Sequence, residues 1–169
     1  KSIKNNILKE ILKSKIINKK KSIKLASINS KEIKKNSIFI GIKGKKYNGN
    51  NFADEAIKNG AILAIVNKKY KNSKIILKQK PLKFLNTISS NYRKSLNANT
   101  IAITGSSGKT SVKELTGFCL NKLDNTYCSK KSFNNKFGVP LSIFNTPEKT
   151  KFAVLEVGMD KKGEIDYLT

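Results

Sequence analysis

The 169-residue sequence contains no histidine, a single arginine (Arg93) and only two cysteines. Without histidine there is no Ser-His-Asp triad and no histidine general base within these residues. Cys119 and Cys128 cannot complete a common zinc pattern and are too few for a disulfide framework. No apolar run approaches the ~20 residues of a membrane span. The N-terminal lysines are not followed by the apolar stretch of a signal peptide. A cytoplasmic, reducing location is expected as the default, with no membrane span.

Acidic residues are also scarce: 11 against 35 basic ones, for a formal charge of +24. Such a charge is the footprint of a nucleic-acid binder. Every basic residue except Arg93 is lysine, however, and the arginine fork favoured for reading phosphates and base edges is nearly absent. Lysine, asparagine and isoleucine all have A/T-rich codons, so a biased genome raises them together. The lysines are spread over every predicted element. No nucleic-acid partner is expected, although a lysine-rich surface attracts anionic substrates such as nucleotides. A basic nucleic-acid-binding protein with an incidental glycine loop is the competing reading of a different class.

The length allows one domain or two small ones. The chain starts at Lys1, has its only methionine at Met159, and stops at Thr169 inside what reads as a helix opening. It is therefore read as a fragment. Ile3, Ile7, Leu8, Ile11 and Leu12 recur at helical spacing. Strands are expected near 24–28, at 37–42 (SIFIGI), 62–66 (ILAIV) and 75–77, with a helix over 52–59 that stops at Gly60. These make a small α/β unit over 1–80. Pro81 opens a helix running to about Leu96, where its missing N–H is tolerated.

A second α/β pattern occupies 81–169. A short strand (TIAIT, 100–104) leads into a Gly/Ser loop at 105–111. Val112, Leu115, Cys119, Leu120 and Leu123 then form one helical face, and Cys119 is expected in the core. Another buried strand (FAVLEV, 152–157) follows. Strand, loop, helix, strand is the grammar of an open, largely parallel sheet.

The sharpest signal is Thr104-Gly105-Ser106-Ser107-Gly108-Lys109-Thr110-Ser111, between a strand and a helix. Glycines let the backbone curl so that its N–H groups face phosphate oxygens. The helix N-terminus adds unsatisfied donors and a positive dipole end. Lys109 places a point charge on the β/γ-phosphates, and the Thr110 hydroxyl can ligate Mg²⁺. The general phosphate-loop pattern has a further glycine where this chain has Ile103, so the loop is a shortened G-x-x-G-K-T form. ATP and Mg²⁺ are the expected cofactors, with Gly105, Ser106, Ser107, Gly108, Lys109, Thr110 and Ser111 as their binding loop.

The run AITGSSGKTSVKEL (102–115) resembles the ATP loop of the Mur ligases. Two further segments agree in order and spacing. SFNNKFGVP (132–140) resembles that family's N-x-N-N-x-x-G-x-P loop, and VLEVGMDKKGEI (154–165) resembles its E-x-G-x-x-x-x-G-E-I signature. Upstream, SIFIGIKGKKYNGNNF (37–52) resembles the family's UDP-binding domain. The resemblance covers about 25–169 and is strongest to the branch that adds D-alanyl-D-alanine. The ATP loop alone is shared with folylpolyglutamate synthases. Some positions depart from the family pattern: Asn29-Ser30-Lys31 stands where D-[ST]-R is usual, Asn48-Gly49-Asn50 where D-G-H is frequent, and Asp160 where asparagine is common.

The resemblance implies an α/β architecture: a small N-terminal UDP-binding domain, then the start of a phosphate-loop, open parallel-sheet ATPase domain. It also implies an ATP-dependent ligase that activates the terminal carboxylate of UDP-MurNAc-tripeptide as an acyl phosphate and transfers it to D-alanyl-D-alanine. Lys109 and Glu156 would be catalytic, with Thr110 and Glu156 as metal contacts. Ser30, Lys43, Gly44, Asn48, Asn134 and Asn135 would bind substrate, and Glu164 would cap a helix starting near Gly163. A sibling Mur or folylpolyglutamate-type ligase with another acceptor is the alternative enzyme. In the family a carbamylated lysine, a histidine metal ligand and a C-terminal domain lie further along. The isolated chain is thus expected to bind nucleotide weakly at best and to turn nothing over, and the protein is expected to be a monomer.

Overall fold

The computed structural model describes residues 2–13, 22–44, 46–130 and 133–158. The chain divides into two compact units, Lys1–Tyr92 and Arg93–Thr169. Glu164 and the rest of the 159–169 segment lie outside the described residues.

The first unit carries four parallel strands in the order β1 (Leu25–Ser27), β2 (Ser37–Ile40), β3 (Ala61–Val66) and β4 (Ile75–Leu77). Its central strands read as continuous apolar runs because both faces of a parallel sheet are covered. Ile38, Phe39, Ile40, Leu63, Ala64, Ile65 and Val66 are all buried. Each large side chain of this kind contributes about 1.5–3 kcal/mol on burial. Helix α2 (Ala53–Lys58) packs on β3 through Ala53 and Ala56 in a cluster with Phe39, Ala61 and Ala64. Small residues on both sides let the two backbones approach. Gly60, at φ +109°, then turns the chain into β3.

Helix α1 (Ile3–Leu12) buries Ile7 and Leu8 as its periodicity predicts, and also Lys4 and Asn5. Both polar groups are satisfied. The Lys4 ammonium donates to the Lys24 carbonyl at 2.7 Å and lies 4.7 Å from the Tyr92 ring centroid. The Asn5 Oδ1 accepts from the Ile23 N–H at 2.8 Å. Helix α3 (Pro81–Ser95) buries Phe84, Leu85, Ile88 and Tyr92 at helical spacing. The division between units falls inside α3, after Tyr92. The ring of Tyr92 is held against Lys4 of the first unit, which the helix's amphipathic pattern does not reveal.

The second unit carries three parallel strands in the order β5 (Asn99–Ile103), β7 (Phe152–Glu156) and β6 (Thr126–Cys128). The central β7 is the most buried, from Ala153 to Glu156. Helix α4 (Lys109–Asn121) packs on β7 and β6, and α5 (Gly138–Asn145) on β7.

The face of α4 differs from expectation. Val112, Leu115 and Leu123 are 52%, 65% and 74% exposed, Phe118 is exposed beside them, and Cys119 is exposed instead of core. The face turned to the sheet is built on Lys113 and Gly117. A Cβ on Gly117 would lie 2.1 Å from the Cys128 sulfur, so only glycine lets the helix cross β6 this closely. Close approach selected that face in place of the apolar stripe.

Candidate functional site

Ile103, the last residue of β5, pairs in register with Glu156, the last residue of β7. The loop that leaves β5 thus starts beside a carboxylate at the carboxyl edge of the sheet, where ligands of open α/β sheets gather. It passes through Gly105 and reaches Gly108 at φ +74°, a left-handed conformation that favours glycine. Gly108 caps α4 with no side-chain hydrogen bond, and a Cβ there would meet nothing within 4 Å. Open space therefore stands over a helix N-terminus whose first N–H groups have no helical acceptor. The first helical bond runs from the Val112 N–H to the Gly108 carbonyl at 3.0 Å.

Lys109, Thr110 and Ser111 thus form the first turn of the helix and not part of the preceding loop. With Gly108, Asn134 and Glu156 they line a cavity of about 300 Å³. Gly105, Ser106 and Ser107 are exposed ahead of it. The Lys109 ammonium folds back and donates to the Gly105 carbonyl at 2.7 Å.

Glu156 organises the cavity floor. Its Oε2 accepts from the Thr110 hydroxyl at 2.8 Å and its Oε1 from the Asn134 amide at 2.9 Å. Its own N–H donates to the Ser129 hydroxyl at 3.0 Å. Burial alone would push its pKa up. The hydrogen bonds from Thr110 and Asn134, and the ammonium charges of Lys113 and Lys109, outweigh this and hold the carboxyl below its ordinary value. It is ionised at neutral pH.

The two neighbouring asparagines have different jobs. Asn134 faces the cavity, whereas the Asn135 Oδ1 accepts from the N–H groups of Phe137 and Gly138, both at 3.0 Å, and caps α5. Gly158 donates its N–H to the Asn134 carbonyl, and a Cβ on it would lie 2.9 Å from that oxygen. The Glu-x-Gly spacing therefore grips Asn134 twice, by side chain and by backbone.

Sequence reasoning missed Lys113 and Ser129. Lys113 is fully buried, with its Nζ 2.7 Å from the Ser129 carbonyl and 3.9 Å from the Glu156 Oε2. One more lysine among so many gave no signal, except that it stands three residues after Thr110 on the same helix face.

The residues expected to bind substrate in the first unit lie at the carboxyl ends of β1 and β2. Ser30 is buried, donates its hydroxyl to Glu55 at 3.1 Å, and receives the Asn59 amide on its carbonyl at 3.0 Å. Lys43 and Asn48 form an isolated antiparallel bridge that closes a turn with Gly44, whose N–H donates to the Tyr47 carbonyl at 2.9 Å. The Asn48 Oδ1 accepts from the Asn50 side-chain amide at 2.7 Å. Asn50 is buried, and its Oδ1 accepts from the Asn67 N–H at 2.8 Å. The Tyr70 hydroxyl donates to its carbonyl at 2.7 Å. Asn50, passed over as a departure from a motif, is the centre of this loop.

The second-unit cavity fits a magnesium nucleotide. Its open helix N-terminus suits phosphate oxygens. A hydroxyl and one ionised carboxylate 2.8 Å apart are hard oxygen donors that suit Mg²⁺, which keeps several waters and completes its shell with phosphates. Among the described residues no group of three or more His, Cys, Asp or Glu could hold a metal by itself. None of the described helices is long and apolar enough to cross a membrane.

Comparison with known proteins agrees with this geometry. The profile described as Mur ligase family, catalytic domain, matches residues 22–105, and that of the Mur ligase middle domain matches 103–169. The chain is 34% identical over 172 residues to the UDP-N-acetylmuramoyl-tripeptide–D-alanyl-D-alanine ligase of Haemophilus influenzae, covering 96% of this chain and 37% of that protein. The ligase of the same name from Buchnera aphidicola is 38% identical over 151 residues, covering 88% and 33%. Among solved structures, MurF ligase from Thermotoga maritima in complex with ADP superimposes with a TM-score of 0.75 at 30% identity, covering 86% of this chain and 34% of that one. A MurF from Acinetobacter baumannii gives 0.77 at 30% identity, covering 86% and 33%. The chain spans about a third of the length of these relatives. With its phosphate loop, strand-end glutamate and asparagine loop placed together, and with both profiles matched in sequence order, the chain belongs to the Mur ligase family.

Proposed function

We propose that the full-length protein carrying this chain is an ATP-dependent ligase that adds D-alanyl-D-alanine to UDP-MurNAc-tripeptide. The relatives that bear this name match across nearly the whole chain, and the phosphate site has the donors the reaction needs. The observation that carries the reading is the 2.8 Å contact between the Thr110 hydroxyl and the Glu156 carboxylate at the open N-terminus of α4.

In this reading the tripeptide's terminal carboxylate attacks the γ-phosphorus of ATP, forming an acyl phosphate and releasing ADP. The amine of D-alanyl-D-alanine then attacks the acyl carbon. A proton leaves the nitrogen, and the tetrahedral intermediate collapses to an amide and inorganic phosphate. The chain's residues act by position and charge. The N–H groups at the start of α4 hold phosphate oxygens, and the Lys109 ammonium leaves the Gly105 carbonyl for the β/γ-phosphates. Thr110 and Glu156 would hold Mg²⁺, which supplies charge neutralisation on the phosphates. Asn134 orients Glu156 and faces the reacting end of the cavity. The first unit binds the UDP moiety through Ser30, Lys43, Gly44 and Asn48, and the second unit begins the ATP-binding domain. ATP as co-substrate places the reaction in the cytoplasm, and a monomeric enzyme is part of the same proposal.

Phosphate release by the full-length protein with ATP, Mg²⁺ and UDP-MurNAc-tripeptide tests this. Release should require D-alanyl-D-alanine and disappear in Lys109→Ala. Release that responds only to a different amino acid would transfer the protein to another branch of the family.

A further inference from the structure

The partners of Glu156 fall into two classes. Thr110 and Asn134 line the cavity, so a ligand can compete for them. Lys113 does not line it. Its side chain is fully buried behind the carboxylate, on the helix that carries the phosphate loop. The ammonium is fixed by the Ser129 carbonyl at 2.7 Å and by the Glu114 carboxylate at 3.1 Å, and stands 3.9 Å from the Glu156 Oε2. Ser129 closes a ring, because its hydroxyl accepts the Glu156 N–H at 3.0 Å and its own N–H donates to the Val154 carbonyl at 2.9 Å. Three residues from three elements, all nearly solvent-free, thus meet at one ammonium: Lys113 of α4, Ser129 after β6 and Glu156 of β7.

A buried ammonium is expensive to desolvate and persists only where charge and hydrogen bonds compensate it. An aliphatic side chain would fill the same space at lower cost, so packing does not account for a lysine here. Glu156 gains from the lysine what Thr110 and Asn134 cannot guarantee: a fixed positive neighbour that no ligand displaces. Residues that orient a metal-binding carboxylate from behind typically change metal affinity ten- to a hundredfold when removed.

We infer that Lys113 is a positioning residue of the phosphate site, holding the Glu156 carboxylate in the orientation that a magnesium nucleotide requires. This rests on the phosphate-site reading given above. Lys113 acts through Glu156 and touches neither nucleotide nor peptide. Its influence is therefore confined to the Mg²⁺-dependent part of nucleotide binding, because the loop N–H groups and Lys109 hold the phosphates without it.

Titration calorimetry of ADP binding to the full-length protein, once with Mg²⁺ and once with EDTA, separates these contributions. Lys113→Met should weaken ADP binding ten- to a hundredfold with Mg²⁺ and leave it unchanged with EDTA. Combined with Glu156→Gln it should add nothing to the loss from Glu156→Gln alone, since two residues acting through one contact are not additive. Lys113→Gln keeps a donor for the Ser129 carbonyl but removes the charge. It should show the same Mg²⁺-specific loss and carries the test if the methionine variant does not fold. Equal weakening with and without Mg²⁺, no weakening in either, or additive losses in the double variant would each overturn the inference. If the unsubstituted protein binds ADP no better with Mg²⁺ than with EDTA, the phosphate-site reading itself fails and takes this inference with it.

Discussion

The Thr110 hydroxyl donates to the Glu156 carboxylate at 2.8 Å across 46 residues of chain. One belongs to the first turn of a helix and the other to the last position of the central strand. The parallel pairing of β5 with β7 brings them together, because Ile103 lies opposite Glu156 and the loop has only to turn once to deliver Thr110.

From this pairing, Thr110→Val and Glu156→Gln should each reduce Mg²⁺-dependent phosphate release by about a hundredfold or more, the scale of losing one preorganised electrostatic group. Thr110→Val should keep the wild-type unfolding midpoint to within a few degrees. Steady-state kinetics across a Mg²⁺ titration, with thermal unfolding of each variant, checks this. Near-wild-type turnover in either variant would remove the pair from the mechanism.

Gly117 should tolerate no side chain. A Cβ there would sit 2.1 Å from the Cys128 sulfur, so Gly117→Ala forces α4 away from β6. The expected loss is about 1–3 kcal/mol, the usual range for overpacking a tight contact. Cys128→Ala removes the opposing sulfur and should recover a large part of it in the double variant. Denaturant midpoints of the three variants measure the effect, and additive losses would contradict the steric account.

The folded-state pKa of Glu156 lies below its unfolded value. Burial opposes this, but the hydrogen bonds from Thr110 and Asn134 and the lysine charges prevail. A depressed carboxyl stabilises the fold above its unfolded pKa and loses that contribution as pH falls through the folded value. Relative to Glu156→Gln, the wild-type protein should therefore lose stability below the ordinary value of 4.5 and run parallel to the variant above it. Chemical denaturation over a pH series would show the two curves converging in acid. Parallel curves throughout would mean that Glu156 is not held ionised by its neighbours.

Asn50→Ala removes a buried side chain that joins the Asn48 turn to the Asn67 backbone. The Asn48 Oδ1 keeps the Asn50 N–H at 3.2 Å, but leaving the Asn67 N–H unpaired costs about 1–3 kcal/mol. In the full-length protein the KM for UDP-MurNAc-tripeptide should rise while that for ATP stays the same. A rise in both, or in neither, would separate this loop from substrate binding.

The parts of the site legible in the sequence were those whose chemistry is local. Gly105 to Thr110 suggest a phosphate loop because glycine, lysine and threonine stand there within a few residues of one another. Glu156 could be placed because a buried apolar strand ends on a charge. What could not be read depends on the third dimension. Asn134 and Asn135 are adjacent and chemically identical, and only the start of α5 decides which one caps it. The packing face of α4 was misjudged because hydrophobic periodicity points to Val112, Leu115 and Cys119, while the sheet accepts the smallest residue, Gly117, and a lysine with satisfied donors. Lys113 was hidden by composition: in a chain with 35 basic residues one buried ammonium is invisible until its neighbours are known. β6 and α5 escaped for want of length and contrast, β6 being three half-buried residues and α5 opening on Gly138 with Pro140 in its first turn.

The most direct test of the central claim is the mass of the product. The full-length protein, incubated with ATP, Mg²⁺, UDP-MurNAc-tripeptide and D-alanyl-D-alanine, should convert the tripeptide to the species heavier by one dipeptide less water, with one ADP per amide formed. Lys109→Ala should yield none. An unchanged tripeptide mass from a folded protein that binds ATP, or the same product from Lys109→Ala, would contradict the account.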